Sequence, residues 1–236
     1  MTGTIAEQVL DNPVWAALSG AHQGFAERHG HAARYQQDVS PFHAVADADD
    51  PAAWADLAAL AGPGAVVWMA GDAGRLPAGW TVDQQIDGVQ LVDDAAEAAV
   101  DPEALRLTTA DVPEMLDLVA RTRPGPFLTR TVELGHYLGI RRGGALVAMA
   151  GERMRLPGWI EISAVCTAPE ARGQGLAGRL IQAVVAGIRA RGDRPLLHAA
   201  ADNTGAIRLY EALGFTLRRQ ILFRSVRTPD ADPAAG

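Results

Sequence analysis

The 236-residue sequence contains no lysine and a single cysteine, Cys166. One cysteine excludes an intramolecular disulfide and fits a reducing compartment. No uncharged apolar run reaches the ~18 residues that a membrane-spanning helix needs. The first residues, Met1 to Leu10, lack both a basic start and an apolar stretch, so no secretory signal is read there. A cytoplasmic location is the expectation, with no membrane partner. No group of His, Cys, Asp and Glu has the spacing of a metal site, and no metal is expected. No repeat of short period is present.

Charge is present but unevenly placed. Residues 1–104 hold 16 acidic and 3 basic groups, and residues 105–236 hold 12 acidic and 18 basic groups, within a net charge of -7. The acidic half is unsuited to nucleic acid, which needs a basic surface, and no nucleic-acid partner is expected. The basic half suits a multiply charged anion such as a phosphorylated cofactor. Two oppositely charged surfaces that dock on each other explain the asymmetry equally well. The acidic, alanine-rich stretch from Val92 to Glu103 is the candidate linker.

Residues 1–100 read as an α/β region with no catalytic spacing. A helix is expected over residues 5–28 and a short strand over Arg34 to Asp38. Asp50-Pro51 opens a helix, since aspartate caps and proline suits the first turn. Strands follow at Ala65 to Ala70 and within Trp80 to Leu91. The second half is clearer. A strand at Leu105 to Thr108 precedes a helix opened by Asp111-Val112-Pro113. Strands at Tyr137 to Arg141 and Ala145 to Arg153 meet at Gly143-Gly144, a hairpin signal. Trp159 to Thr167 is a further strand. Residues 229–236 are expected to form a disordered tail.

The strand at Trp159 to Thr167 runs into a glycine-dense turn, and the turn opens into an amphipathic helix. Its apolar positions, Leu176, Leu180, Ile181, Val184, Val185 and Ile188, recur in steps of three and four. The first amides of a helix have no internal partner, and the dipole adds partial positive charge. Gly173, Gly175 and Gly178 would let a phosphate approach the backbone, with Arg172 and Arg179 adding charge. No Lys-Ser or Lys-Thr follows, so the turn is not a Walker loop. Gly173 to Gly178 fits Gly-x-Gly-x-x-Gly, but Asp193 lies in a turn and not at a strand end, where a ribose partner belongs. From spacing, the choice stays open between a phosphate turn and a merely tight connection.

Arg172-x-x-Gly175-x-Ala177 resembles the Arg/Gln-x-x-Gly-x-Gly/Ala signature of the GNAT N-acetyltransferase superfamily. Asn203-x-x-Ala206-x-x-Leu209-Tyr210-x-x-x-Gly214-Phe215 is similar to the family's usual continuation after the next strand. The resemblance covers roughly residues 105–227 and leans toward the FR47-like branch. It implies an α/β (α+β) fold with a central mixed, mostly antiparallel sheet, splayed parallel strands and flanking helices. It assigns residues 101–228 to the acetyltransferase domain. Residues 1–100 match no motif, and a degenerate acetyltransferase-like half is one expectation for them.

The resemblance also implies the co-substrate, acetyl-CoA or another short acyl-CoA, and the residues that hold it. The strand through Val165, Cys166 and Thr167 would pair with the pantetheine arm. The following strand would splay away to admit it. Arg172 and the amides of Gly173, Gln174, Gly175, Leu176, Ala177 and Gly178 would take the diphosphate. Asn203 and Ala206 would flank the arm, although Asn203 reads equally as a helix cap. Tyr210 would protonate the leaving thiolate as general acid; its plain alternative is packing inside its helix. Glu161 would be the general base, with a salt-bridged carboxylate as the alternative reading. Glu133 and His136 are weaker candidates, and His198 reads as structural. The function implied is acyl transfer from acyl-CoA to a primary amine by direct attack. A CoA-binding sensor without turnover is the other class. Arg121, Arg123 and Arg130 suit an acceptor with a carboxylate, such as an amino acid, whereas the acidic half suits a cationic one. Oligomeric state, monomer or dimer, stays open.

Overall fold

The structure is a computed structural model that describes residues 5–71 and 74–231. Residues 232–236 of the expected tail, and Met1 to Thr4, lie outside the described residues. The helices are α1 (Ile5–Gln8), α2 (Pro13–Ser19), α3 (Pro51–Ala61), α4 (Val112–Thr122), α5 (Leu176–Ala190) and α6 (Thr204–Ala212). The strands are β1 (Ala26–His29), β2 (Ala32–Tyr35), β3 (His43–Val45), β4 (Val66–Gly71), β5 (Thr81–Asp93) and β6 (Leu105–Leu107). They continue with β7 (Tyr137–Arg142), β8 (Ala145–Leu156), β9 (Trp159–Thr167), β10 (Arg194–Ala200) and β11 (Phe215–Arg227).

Helix starts follow local chemistry. Asp50 caps α3 through the Ala52 amide, and Asn203 caps α6 through the Ala206 amide. The single helix expected over residues 5–28 is broken instead. Asn12 accepts from the Trp15 amide with Pro13 in the first turn, so the chain restarts there as α2. A short 3₁₀ turn and β1 then occupy residues 23–29.

Eight strands form one sheet in the order β4-β11-β5-β10-β9-β8-β7-β6, and β1, β2 and β3 form a small antiparallel sheet. Every pair in the large sheet is antiparallel except β10 with β9. Residues 1–100 do not build a sheet of their own only. They supply β4 and β5 to the large one, with β5 an interior strand between β11 and β10.

Two apolar layers cover the sheet. One face carries α4, α5 and α6, with Leu180, Val184, Leu197, Ile162 and Tyr210 in a common core. The other carries α2 and the small sheet, with Leu18, Tyr35, Phe42, Leu196 and Trp159 in theirs. Leu196 and Leu197 fall in different layers because successive strand residues point to opposite faces. Full burial of each such side chain contributes about 1.5–3 kcal/mol.

Candidate active site

The parallel pair is where the sheet opens. Pairing between β9 and β10 runs from Trp159 opposite Arg194 to Ile162 opposite Leu197 and then stops. Both strands continue, β9 to Thr167 against β8 and β10 to Ala200 against β5. Their inner edges therefore diverge. The expected splayed parallel strands are present.

A β-bulge marks the divergence. Ser163 faces Gly151 and Cys166 faces Met149, so Ala164 and Val165 share the place of one residue on β8. Ala164 takes φ 53, a conformation that costs an L-residue energy and re-aims the backbone beside the gap.

A cavity of about 1170 Å³ fills the gap. On the α-helical side its wall includes Arg123, Arg172, Gly173, Ala177, Asn203 and Tyr210, and Val165 to Thr167 run along it. Ala206 also lines it, whereas Gln174, Gly175, Leu176 and Gly178 are not on its wall. Leu176 buries its side chain in the core, so only its amide is free to act.

The glycine turn is open as built. Gly173 and Gly175 have φ of 76 and 69, and a Cβ at either would meet nothing within 4 Å. Gly175 sits at the N-cap of α5 with no side-chain cap, so the first amides of that helix have no side-chain acceptor. Gly178 differs, because its missing Cβ faces Leu209 of α6 at 3.7 Å. The absent side chain of Gly178 thus serves helix packing, and its amide is what remains for a phosphate. Arg123 and Arg172 form no ion pair among the described residues, and Arg172 reaches only the Thr167 carbonyl. Thr167 Oγ1 is buried without a hydrogen-bond partner. Open glycine backbone, uncapped helix amides and two unpaired cations fit a diphosphate-bearing group. Arg179 is committed elsewhere, to Asp101 and Glu103 at 2.7 and 2.6 Å.

Tyr210 is 7% exposed and faces the cavity from α6. Burial pushes its phenol up to about 12, so it stays protonated at neutral pH. Asn203 lines the cavity and caps α6, so its two expected roles are compatible in place. Cys166 is buried, and burial pushes its thiol up to about 11, which leaves little thiolate for nucleophilic attack.

Glu161 takes the arrangement of its alternative reading, a salt-bridged carboxylate. It is 1% exposed. Its Oε1 accepts from Arg153 Nη2 at 2.6 Å and His198 Nδ1 at 2.8 Å, and its Oε2 accepts from Arg153 Nε at 2.8 Å. Burial opposes its ionisation, but the Arg153 charge and these bonds outweigh it and hold the carboxyl at about 2. The His198 tautomer follows from the chain of partners. Arg218 donates to Gln90 Oε1, so Gln90 Nε2 donates to Leu10 O and to His198 Nε2. His198 Nε2 is then an acceptor, and Nδ1–H donates to Glu161. His198 Nε2 thus has its one ring lone pair taken by Gln90, and both Glu161 oxygens are engaged by buried donors.

The weaker candidates sit elsewhere. Glu133 pairs with Arg130, which also meets Asp38. His136 Nδ1 meets Arg191. Of the three arginines expected near the acceptor, only Arg123 lines the cavity; Arg121 is paired with Asp117 and Glu170. Sequence reasoning missed Arg153, the bulge at Ala164 and the aromatic wall formed by Phe42, Trp68 and Phe223. Arg153 alone left a trace, as one of three charges, with Glu152 and Arg155, near the end of an otherwise apolar strand.

A split mixed sheet with an uncapped helix start and a buried tyrosine at the split defines a transferase of the acetyltransferase class. The FR47-like protein family model matches residues 137–224. A GNAT-family protein of known structure from Novosphingobium aromaticivorans is 40% identical, with a TM-score of 0.84, over 94% of this chain and 99% of that one. The chain belongs to the GNAT family of N-acetyltransferases. The GCN5-related N-acetyltransferase from Kribbella flavida, 18% identical with a TM-score of 0.62 over 99% of each chain, shares the fold. A mycothiol acetyltransferase from Thermobispora bispora is 47% identical over 57 residues. That stretch is 24% of this chain and only 19% of the relative. Among the described residues no helix is long and apolar enough to cross a membrane, and no group of His, Cys, Asp and Glu could hold a metal ion.

Proposed function

We propose that this chain transfers an acetyl group from acetyl-CoA directly to a primary amine, both substrates being bound together. The observation that carries the reading is the gap between β9 and β10, whose cavity is lined at once by Arg172, Gly173 and Ala177 and by Tyr210. Acetyl-CoA supplies the activated thioester carbonyl. The amides of Gly173, Gln174, Gly175, Leu176, Ala177 and Gly178 bind its diphosphate, and Arg172 and Arg123 offset the charge. Val165, Cys166 and Thr167 hold the arm through their backbone, with Asn203 and Ala206 across from them. Tyr210 gives its proton to the departing sulfur, its raised pKa keeping that proton available, and the proton that the acylated nitrogen sheds restores the phenol through solvent. Residues 101–228 carry the cofactor side of the site, and residues 1–100 complete the sheet through β4 and β5 and close the acceptor side.

No carboxylate lines the cavity among the described residues. The acceptor therefore enters as the free base, its proton lost to solvent. Positioning of amine and carbonyl supplies the rest of the rate.

Thiol release from acetyl-CoA over an amine panel tests the proposal. Tyr210→Phe should slow turnover by ~10²-fold while acetyl-CoA affinity, read by calorimetry, stays within threefold. Binding of acetyl-CoA without release of thiol for any amine would leave a CoA-binding protein and no enzyme.

A further inference from the structure

The cavity continues through the gap to the far face of the sheet. There its wall is Phe42, Trp68, Ile86 and Phe223. Phe42 bridges to Trp68, and Phe223 pairs with Ile86. Phe223 also lies edge-on to the His198 ring at 6.2 Å. Phe42, Trp68 and Phe223 belong to the apolar layer under the small sheet, whereas Tyr210 and Leu209 belong to the opposite layer. One cavity touches both layers because β9 and β10 part between them. Trp68 and Phe223 are only half-buried, so ring surface faces the cavity.

The charged group on this side is Arg153. It spends Nε and Nη2 on Glu161 and stacks over Phe42 at 5.1 Å. Its Nη1 makes no hydrogen bond to another described residue. Among the described residues the cationic side chains on the cavity wall are Arg123, Arg153 and Arg172, and no Asp or Glu is on it. A second ammonium group on an acceptor would meet repulsion and desolvation with no carboxylate to offset them.

We propose that this far chamber seats the acceptor, and that the acceptor is a primary amine with an apolar, ring-sized body and no second positive charge. An oxygen on that body is received by Arg153 Nη1. Polyamines and aminoglycosides are excluded by the same wall. The assignment rests on the acetyl-transfer reading above for the direction of entry, but the chamber's ligand preference is measurable without it.

Calorimetry on the full chain, with and without CoA, would compare 2-phenylethylamine, phenylalanine and spermidine. The two aromatic amines should bind at least tenfold more tightly than spermidine, and phenylalanine more tightly than phenylethylamine through Arg153. Trp68→Ala should weaken the aromatic amines by about tenfold and leave acetyl-CoA affinity within twofold. Ile86 is 42% exposed, so Ile86→Glu should fold, and its carboxylate should raise spermidine affinity by about tenfold. Spermidine binding more tightly than phenylethylamine to the wild type would overturn the proposal. So would a folded Ile86→Glu protein with unchanged spermidine affinity. Failure of acetyl-CoA to bind would sink the acetyl-transfer reading alone, because amine binding is read independently.

Discussion

Glu161 accepts three hydrogen bonds at a position with almost no water. Two come from one guanidinium, and the pair is enclosed by Phe42 on one side and His198 on the other. Removing the negative charge leaves Arg153 buried without a counter-ion, which is far costlier than losing an exposed pair. Glu161→Gln should therefore destabilise the protein by about 3–5 kcal/mol in urea denaturation. The wild-type pH profile should carry no limb from this residue above pH 5, because its carboxyl sits at about 2. A limb near neutrality that disappears in Glu161→Gln would restore it as a base. The residue was singled out from the sequence for its strand position. Its partners lie on β8 and β10, so nothing local announces that they neutralise it.

At the scale of elements, the start of α5 separates two glycines that look alike in sequence. Gly175 has φ 69 with open space around it, so an added Cβ clashes with nothing but strains the backbone. Gly175→Ala should cost about 1–2 kcal/mol of stability. It should also weaken CoA binding about tenfold by turning the cap amides. Gly178 lies inside the helix, where alanine is favoured by up to ~1 kcal/mol and its Cβ would find Leu209 at ordinary contact. Gly178→Ala should be neutral or stabilising and leave CoA affinity within threefold. Thermal melts and calorimetry on the two variants check the contrast, and equal losses of affinity would refute it. These elements were legible because their signals are short-range: caps at Asp50 and Asn203, the hairpin at Gly143-Gly144, the periodicity of α5. The entry of β5 between β11 and β10 was not. It depends on pairing residues 81–93 with residues 215–227, and no pattern within either segment names the other. The chamber inherits this difficulty, since Phe42, Trp68, Ile86 and Phe223 come from four separate places in the chain.

Across the whole molecule, the charge asymmetry of the sequence resolves largely into contacts between its halves. Arg189 meets Asp93, Arg179 meets Asp101 and Glu103, and Arg218 and Arg219 meet Asp11. Most of these pairs are partly exposed and individually worth little. The acid sensitivity of the fold lies instead in its interior. Burial, reinforced by Arg155, lowers His22 to about 4; its Nδ1 is hydrogen-bonded to the Tyr35 hydroxyl at 2.9 Å. Burial likewise lowers His43 to about 4. In the unfolded chain both titrate near 6.5, so between pH 6.5 and 4 the unfolded state binds more protons. Stability is therefore full above pH 6.5 and falls as pH drops through that window, by up to ~1.4 kcal/mol per pH unit for each histidine. Below about 4 both states carry the protons and this loss ends. Glu161 then takes over, because its stabilisation, present above its unfolded value of 4.5, is lost as pH falls toward about 2. The two windows adjoin, so the urea midpoint should decline continuously from pH 6.5 to 2 with no plateau near 4.5. His22→Gln keeps a hydrogen-bonding group for Tyr35 but cannot take up the proton. Its midpoint should fall with roughly half the wild-type slope between pH 6.5 and 4 and match the wild-type slope below that. An unchanged slope in the upper window would mean that His22 is already charged in the folded protein.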